Sequence, residues 1–357
     1  MDDTLSVVRY KKSDRDAAFA LLRAAFSRAA SERLIRQWDW KYDANPFNRD
    51  GEPYVLLLKD GARTIAMLGA FPVRVVIAGN ERWVAQTGDW VVHRDYRGRG
   101  LSRRLLSHCL VDIPLRFAWA NALSHEAAHS PTARSVPVAP LVKPLDVGRI
   151  VSRLTGNRRL GLWSGAAANR VRRLTRTTRP EPPLPGVNVA RTTTFGPSSD
   201  VLWQQCRTDY PVMVVRDQRY LNWRFVERPD ASYTVFVATR GSDLLGYLVL
   251  RVAEHMEMRW GHLVDFLVQD RSAALLALLV DAGIEHLRGQ EVAAISCRAT
   301  MSPYREVIRS RGFYPFPWGP QAYFYMRVEL PDPALQAFRD ERQWFITMGD
   351  GDLEMSF

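Results

Sequence analysis

Cysteine is scarce in this sequence of 357 residues. Its three cysteines, Cys109, Cys206 and Cys297, are odd in number and far apart, which fits neither a disulfide framework nor a paired-cysteine metal site. Long apolar runs are also missing, because no window approaches the roughly 18 apolar residues of a membrane span. Met1–Thr4 opens without the basic and apolar regions of a signal peptide. We therefore expect a soluble, cytoplasmic protein without a transmembrane segment.

Acidic residues are absent between positions 149 and 180, a stretch that holds nine arginines. The formal net charge is +11, so most of the excess lies there and indicates an anionic partner. Three interpretations stay open: a basic amphipathic element for an anionic membrane or a nucleic acid, a solvated helix face, or a segment packed on both domains that offers arginines to an anionic acceptor. We expect no specific nucleic acid, and any peripheral membrane contact to run through 149–179.

A cluster of prolines at 180–185 forms the clearest linker signal in the chain. We predict an N-terminal domain over 1–148, a basic linker over 149–185 and a C-terminal domain over 186–357. The second half restarts the first half's order of strand, helix, strands and helix. The pattern predicts two copies of one α+β unit, each a mixed, mostly antiparallel twisted sheet flanked by helices.

The sharpest chemical signal is a strand, loop and helix between Val91 and Ser102. A strand ending in Val91-Val92 precedes the basic loop Arg97-Gly98-Arg99-Gly100, and apolar residues then recur at helical spacing. Backbone amides at a helix start, close approach at glycines and arginine side chains together suit a pyrophosphate. The alternative is a solvated basic turn that only starts a helix.

The segment Arg97-Gly98-Arg99-Gly100-Leu101-Ser102 resembles the Arg/Gln-x-x-Gly-x-Gly/Ala loop of the GNAT superfamily of N-acetyltransferases. Ser102 stands where the family prefers glycine or alanine. The resemblance covers residues 5 to 123 and implies acetyl-CoA as the acyl donor, with Asn121 contacting it or assisting the leaving thiol. It implies cofactor binding through two sets of residues: the strand positions Trp90, Val91 and Val92, and the loop and helix start, Arg97, Gly98, Arg99, Gly100, Leu101 and Ser102.

The second half has the Gly312-Phe313 ending of such a domain but no glycine loop. Its equivalent segment reads Gln269-Asp270-Arg271-Ser272, in which an acidic residue disfavours a pyrophosphate. We therefore predict two GNAT-like domains, a degenerate second copy and one active site per chain.

Acyl transfer to an amine needs a base for the ammonium proton, and Asp89, His125 and Glu126 are the candidates. For Asp89 the alternative is a strand-edge carboxylate paired with an arginine. The predicted function is an acyl-CoA-dependent N-acetyltransferase that moves an acetyl group from acetyl-CoA to an amine, with no metal. The acceptor stays open between small molecules and larger amino-group acceptors, as does the oligomeric state.

Two other functions compete with acetyl transfer. His125-Glu126-x-x-His129 matches the HExxH pattern of zinc hydrolases, although Pro131 would end such a helix early. Histidines on the surface or in a substrate pocket are the favoured interpretation of that pattern. The third function is a non-catalytic basic scaffold that binds nucleic acid or an anionic membrane through 149–179.

Two clusters in the second half have an acceptor interpretation beside a structural one. Trp223-Arg224 would form either core or one wall of an acceptor pocket. Asp350 and Asp352 would either hold a cationic acceptor amine or belong to a plain C-terminal turn. Calcium is disfavoured there, because too few residues follow for an EF-hand loop.

Overall fold

The computed structural model describes residues 5–48, 51–112, 114–120, 133–174, 182, 184–255, 257–316, 322–328 and 330–351. The strands of this part are β1 Leu5–Arg9, β2 Tyr54–Asp60, β3 Arg63–Ile77, β4 Asn80–Val92, β5 Leu115–Ala120, β6 Ala133–Pro137, β7 Leu141–Pro144, β8 Val187–Thr192, β9 Val212–Val214, β10 Thr234–Arg240, β11 Asp243–His255, β12 Met258–Val268, β13 Ala294–Cys297, β14 Tyr314–Pro315, β15 Tyr323–Val328 and β16 Trp344–Phe345. The α-helices are α1 Arg15–Ala25, α2 Arg28–Arg36, α3 Leu101–Asp112, α4 Val147–Thr155, α5 Arg158–Leu174, α6 Ser198–Cys206, α7 Gln218–Phe225, α8 Ala273–Gly289, α9 Ser302–Ser310 and α10 Gln336–Arg339. A π-helical segment covers Asp39–Asp43.

The chain forms two compact units. The first contains residues 1–137, 227–231 and 322–343, and the second contains 138–226, 232–321 and 344–357. In the first unit the strand order is β1-β2-β3-β4-β5-β15-β6. Neighbours along this path pair antiparallel, apart from β4 and β5, which run parallel. The second unit repeats the plan in the order β14-β7-β13-β12-β11-β10-β8, where β12 and β13 are the parallel pair.

The predicted fold class, α+β with two mostly antiparallel sheets, is confirmed by these two units. However, neither unit is one continuous stretch of the chain. Strand β15 comes from the second half and pairs with β5 and β6 in the first unit, while β7 comes from the first half and pairs with β13 in the second. The predicted bounds at 148 and 186 divide the chain into three consecutive segments, whereas each observed unit combines segments from both halves of the chain. The predicted linker 149–185 contains most of α4 and all of α5, and these residues belong to the second unit.

Helix α3 covers one face of the first sheet, as its apolar spacing predicts. Leu101, Leu105 and Cys109 recur at helical intervals and are buried against strand residues that include Leu58 and Leu68. Partly buried Trp90 and Val92 of β4 pack against the same cluster. This packing holds the start of α3 close to the end of β4. The connecting loop therefore lies at the carboxyl end of β4, an interior strand of the sheet.

Candidate active site

A β-bulge interrupts β4 near its carboxyl end. Met67 pairs with Val91 and Gly69 pairs with Gly88, so two residues of β4, Asp89 and Trp90, face one residue of β3. Asp89 adopts a left-handed backbone with φ of 48°. Such a conformation is uncommon outside glycine and is best tolerated by Asn and Asp. The bulge therefore has a local cause in the sequence, and it turns the Asp89 side chain toward the π-helical segment.

The Asp89 carboxylate is held by two neighbours from that segment. The Tyr42 hydroxyl donates to Asp89 Oδ2 at 2.6 Å, and Lys41 Nζ lies 3.0 Å from the same oxygen. Lys41 is 3% exposed and the Asp89 side chain 13%, so the ion pair is shielded from bulk water. Among the described residues, the partner of Asp89 is thus a lysine and not the arginine that its structural interpretation predicts.

The bulge coincides with the point where β4 leaves its parallel neighbour. Pairing between β4 and β5 runs from Ala85 with Arg116 to Thr87 with Ala118. Within the described residues, the ladder between these strands does not continue beyond Thr87, although β4 itself extends to Val92 and stays paired with β3. Two parallel strands therefore diverge after Thr87, and the β4 edge that faces β5 carries the backbone of Trp90, Val91 and Val92.

The loop between β4 and α3 is anchored at its first residues and exposed at its last. His93 donates its backbone amide to Ile65 O at 2.8 Å, and the Tyr96 hydroxyl donates to Asp60 Oδ2 at 3.0 Å. Arg97 and Arg99 are exposed. Arg97 makes long hydrogen bonds of 3.4 Å to Val92 O and Ala25 O, and Arg99 lies over the Tyr96 ring and donates to Asp95 O at 3.3 Å. Both guanidinium groups keep donors for an anionic ligand.

The glycines of this loop fit a bound pyrophosphate. Gly98 and Gly100 have φ of 79° and 69°, which non-glycine residues rarely adopt. A Cβ added to either glycine would find no atom within 4 Å, so the backbone lies open on that side. Leu101 and Ser102 then begin α3, whose N-terminal amides point along the helix axis toward the loop. Arginines, open glycines and a helix start meet here, and this donor set matches a phosphate-rich group.

In the second unit, buried side chains of the chain itself surround the strand irregularity that corresponds to the β4 bulge. Strand β12 has a register shift at the corresponding point, and Asp265 beside it accepts from Arg216 Nη2 at 3.0 Å, from Tyr247 Oη at 2.7 Å and from Thr347 Oγ1 at 2.6 Å. Arg216 also donates to Asp350 Oδ2 at 2.9 Å. Arg216, Asp265 and Asp350 are 1–2% exposed.

This buried cluster corrects two of the acceptor interpretations. Asp350 already pairs with Arg216, and burial, together with nearby Asp265, raises its pKa against the opposing effect of Arg216. Asp350 is therefore part of the interior and not a site for a cationic amine, while Asp352 lies outside the described residues. Trp223 and Arg224 are also buried, and Arg224 Nε donates to Gly349 O at 3.0 Å, so this pair belongs to the core.

Several predicted residues lie outside the described part of the chain. Asn121, His125, Glu126 and His129 all fall in 121–132, so their roles and the zinc interpretation stay predictions. In the remaining ranges, no group of three His, Cys, Asp or Glu side chains is arranged to hold a metal ion. No helix of the described chain combines the length and apolar composition that a membrane-spanning segment requires.

The comparisons with known proteins identify the first unit's main segment. A family model described as an acetyltransferase (GNAT) domain matches residues 6–122. Residues 6–122 form a GNAT domain. This match covers β1 through β5, with the bulge and the loop, and confirms the resemblance that the loop motif carries. No curated protein matches the chain.

Solved structures extend the likeness from the GNAT domain to most of the chain. The N-myristoyltransferase of Saccharomyces cerevisiae, solved with myristoyl-CoA bound, has a TM-score of 0.58 at 12% identity, covering 91% of this chain and 82% of that one. A GCN5-related N-acetyltransferase from Anabaena variabilis has a TM-score of 0.60 at 11% identity, covering 91% and 72%. These likenesses establish the fold, which is a tandem of two GNAT-like units.

Sequence patterns alone do not reveal Lys41 and Tyr42, although both contact Asp89. They belong to a short segment rich in aromatic residues, Trp38–Tyr42, most of which lies in the π-helical segment. The available signal was Gly69, a glycine inside a strand pattern, which often marks a close approach by another group. The structure shows that the approaching group is the Tyr42 side chain.

Proposed function

We propose that the protein is an acyl-CoA-dependent N-acetyltransferase whose single active site lies in the GNAT domain. The observation that carries the proposal is the conjunction of the diverging strands β4 and β5 with the exposed loop Arg97–Gly100 at the start of α3. Bound acetyl-CoA would supply a thioester carbonyl. Its pyrophosphate suits Arg97, Arg99 and the amides of Gly98, Gly100, Leu101 and Ser102, and its pantetheine arm suits the free β4 edge at Trp90–Val92.

We take Asp89, which directly precedes Trp90 in β4, as the candidate base. Transfer to an amine forms a C–N bond and breaks the C–S bond. The base takes one proton from the ammonium, and a second proton from the nitrogen goes to the leaving thiolate. Both contacts of Asp89 described above reach Oδ2, which leaves Oδ1, within the described residues, to accept a proton from the amine. Lys41 and Tyr42 would then position this carboxylate. Asn121, His125 and Glu126 remain alternative participants.

Calorimetric titration with coenzyme A tests the binding half of the proposal. We expect the wild-type chain to bind and the Arg97→Glu/Arg99→Glu variant to lose binding, because two attractive charges become repulsive. Arg82→Glu/Arg240→Glu is the matched control, since these arginines are exposed near strand ends away from the loop, Arg82 in β4 and Arg240 in β10. Folded wild-type protein that fails to bind coenzyme A would refute the proposal.

Release of free thiol from acyl-CoA tests the reaction and its donor. A panel of amines, with acetyl-CoA and myristoyl-CoA as alternative donors, would identify the acceptor and show which acyl chain is used. We expect acetyl-CoA to be the better donor. A preference for myristoyl-CoA would support an acyltransferase but would contradict the proposal that the transferred group is acetyl.

Asp89→Asn separates a base from a residue that only shapes the bulge. Asparagine keeps the size and tolerates the left-handed backbone, so folding and coenzyme A binding should persist. If Asp89 takes the proton, kcat falls by at least about a hundredfold, in the range typical of general bases, and the acidic limb of the pH–rate profile, which reports the essential base, changes. An unchanged pH profile with a raised KM would instead assign Asp89 to positioning and move the search to His125 and Glu126.

A further inference from the structure

Helices α4 and α5 form a tight antiparallel hairpin within the second unit. Asp146 caps α4 by accepting from the Arg149 amide at 2.8 Å, and Gly156 ends it with φ of 66°. Asn157 Oδ1 then accepts from the amides of Arg159 and Leu160 at 3.0 and 3.1 Å and starts α5. The turn is therefore only two residues long and strongly specified by its sequence.

Glycines occupy the contact between the two helices. A Cβ on Gly161 would lie 2.6 Å from Gly148 O, and one on Gly165 would lie 3.2 Å from Gly148 Cα. The backbones consequently touch, and large side chains are excluded from the seam between α4 and α5. Ile150 of α4 packs against the buried cluster that contains Trp260, which attaches the hairpin to its unit.

The large apolar side chains of the hairpin point away from this seam. With about 100° per residue, Trp163 lies about 200° around α5 from Gly161, on the opposite side of the helix. Trp163 is 80% exposed, more than any other large hydrophobic side chain of the described chain, and Leu162 is 69% exposed. Leu154 and Leu160 are exposed beside them at 59% and 51%. Burial of these side chains against an apolar environment would be favourable.

Exposed arginines share the two helices with the exposed apolar residues. Arg149, Arg153, Arg158, Arg159 and Arg170 are exposed on the two helices, which contain no acidic residue. Arg153 pairs with Glu257, which lies outside the hairpin. An exposed tryptophan and leucines on helices with exposed arginines are complementary to anionic headgroups above acyl chains. Leucines do not stack on bases, so this composition favours a lipid surface over a nucleic acid.

We propose that the hairpin of residues 147–174 is a peripheral membrane anchor that lays its Leu162–Trp163 face into the headgroup region of an anionic bilayer. The arginines contact lipid phosphates, and the leucines and tryptophan enter the upper acyl region. The inference rests on the hairpin alone and does not depend on the proposed acetyl transfer.

Co-sedimentation of the full chain with vesicles tests this anchor. We expect binding to vesicles of phosphatidylcholine mixed with phosphatidylglycerol, weaker binding to phosphatidylcholine alone, and release by salt. Arg149→Gln/Arg158→Gln/Arg159→Gln should lower the partition coefficient by roughly fivefold for each arginine removed. The matched control, Arg82→Gln/Arg240→Gln/Arg309→Gln, removes the same charge from exposed positions elsewhere and should bind more tightly than the hairpin variant.

Leu162→Ser/Trp163→Ser tests the apolar contribution, with Trp83→Ser as the control at another exposed tryptophan. We expect at least a tenfold loss for the hairpin variant and little change for the control, with near-ultraviolet circular dichroism and coenzyme A binding unchanged in both. Brominated lipids should quench part of the wild-type fluorescence, and Trp163→Phe should remove that part.

Three results would overturn the anchor: no vesicle binding by folded wild type, equal binding by the Leu162/Trp163 variant, or equal quenching in Trp163→Phe. Two others would assign the face to a different occupant. An oligonucleotide bound in place of vesicles would indicate nucleic acid. A wild-type dimer that the Leu162/Trp163 variant dissociates, without vesicle binding, would indicate a second copy of the chain.

Discussion

The Tyr42 side chain occupies the space in which residue 69 would carry its own side chain. A Cβ on Gly69 would lie 2.6 Å from Tyr42 Cζ and still closer to the hydroxyl. Gly69 pairs directly with Gly88, the residue before Asp89, and the Tyr42 hydroxyl donates to Asp89. Because Gly69 of β3 has no side chain, the Tyr42 ring fits beside it and reaches Asp89 in the bulge of β4.

Gly69→Ala should destabilise the first unit. The added methyl has no room beside Tyr42, so we expect a loss of about 1–3 kcal/mol in the free energy of unfolding. The Tyr42–Asp89 hydrogen bond should also break, which lowers activity. Gly88→Ala is the matched control, because its Cβ would meet Lys41 Nζ at an ordinary 3.7 Å. Denaturant titration of both variants decides the matter, and equal losses would contradict the steric argument.

Gly100→Ala should weaken coenzyme A binding. Alanine pays about 1–2 kcal/mol to adopt the left-handed backbone at φ of 69°, so the loop either stores this strain or changes shape. Gly241→Ala carries the same kind of cost at φ of 59° in the turn between β10 and β11, with nothing within 4 Å of its Cβ. Both variants should lose similar stability, but calorimetry should show weaker coenzyme A binding only for Gly100→Ala. Equal affinities would argue against a role of the loop in binding.

Arg216→Met should strongly destabilise the second unit. The substitution leaves Asp265 and Asp350 buried without their shared cation, and breaking a buried pair in this way typically costs about 3–5 kcal/mol. Arg288→Met removes an exposed arginine paired with Glu285 at 3.4 Å, and we expect a change below about 0.5 kcal/mol. Chemical denaturation at neutral pH measures both. A small loss for Arg216→Met would mean that the two carboxylates are neutralised in another way.

His262 should make stability depend on pH below neutrality. The imidazole is fully buried, and its Nδ1 lies 2.7 Å from Ser296 Oγ. Burial lowers the pKa of His262 to about 3, whereas an unfolded histidine titrates near 6.5. Between these values the unfolded state binds the extra proton, so stability falls as the pH drops through that window and is unaffected above it.

The pH effect is measured as a difference between wild type and His262→Asn. Wild type should lose about 2 kcal/mol more than the variant between pH 7 and pH 5, because only the wild-type unfolded chain gains this proton. Ser296→Ala keeps the histidine and should keep the pH dependence. Parallel pH profiles for wild type and His262→Asn would show that His262 does not remain neutral in the folded state.

The sequence predicted those features whose causes are local. Glycines, arginines and the spacing of Leu101, Leu105 and Cys109 specify the loop and α3 within a few residues. The contacts of Lys41 and Tyr42 with Asp89 were not predictable, because they join segments that are distant in the chain and that only the folded sheet brings together. The sequence around β15 is likewise rich in apolar and aromatic residues, as a strand requires, but such a composition does not specify which sheet a strand joins.

The exchange of β15 and β7 has a consequence for the timing of folding during synthesis. The first sheet needs Tyr323–Val328 between β5 and β6, so it cannot close until this segment, which follows most of the second unit in the chain, has left the ribosome. Until then β5 and β6 lack their common neighbour and present open edges, which are prone to pairing with other chains. The strands of residues 6–122 are synthesised before those of the second unit, yet their sheet closes only after most of the second unit has been synthesised.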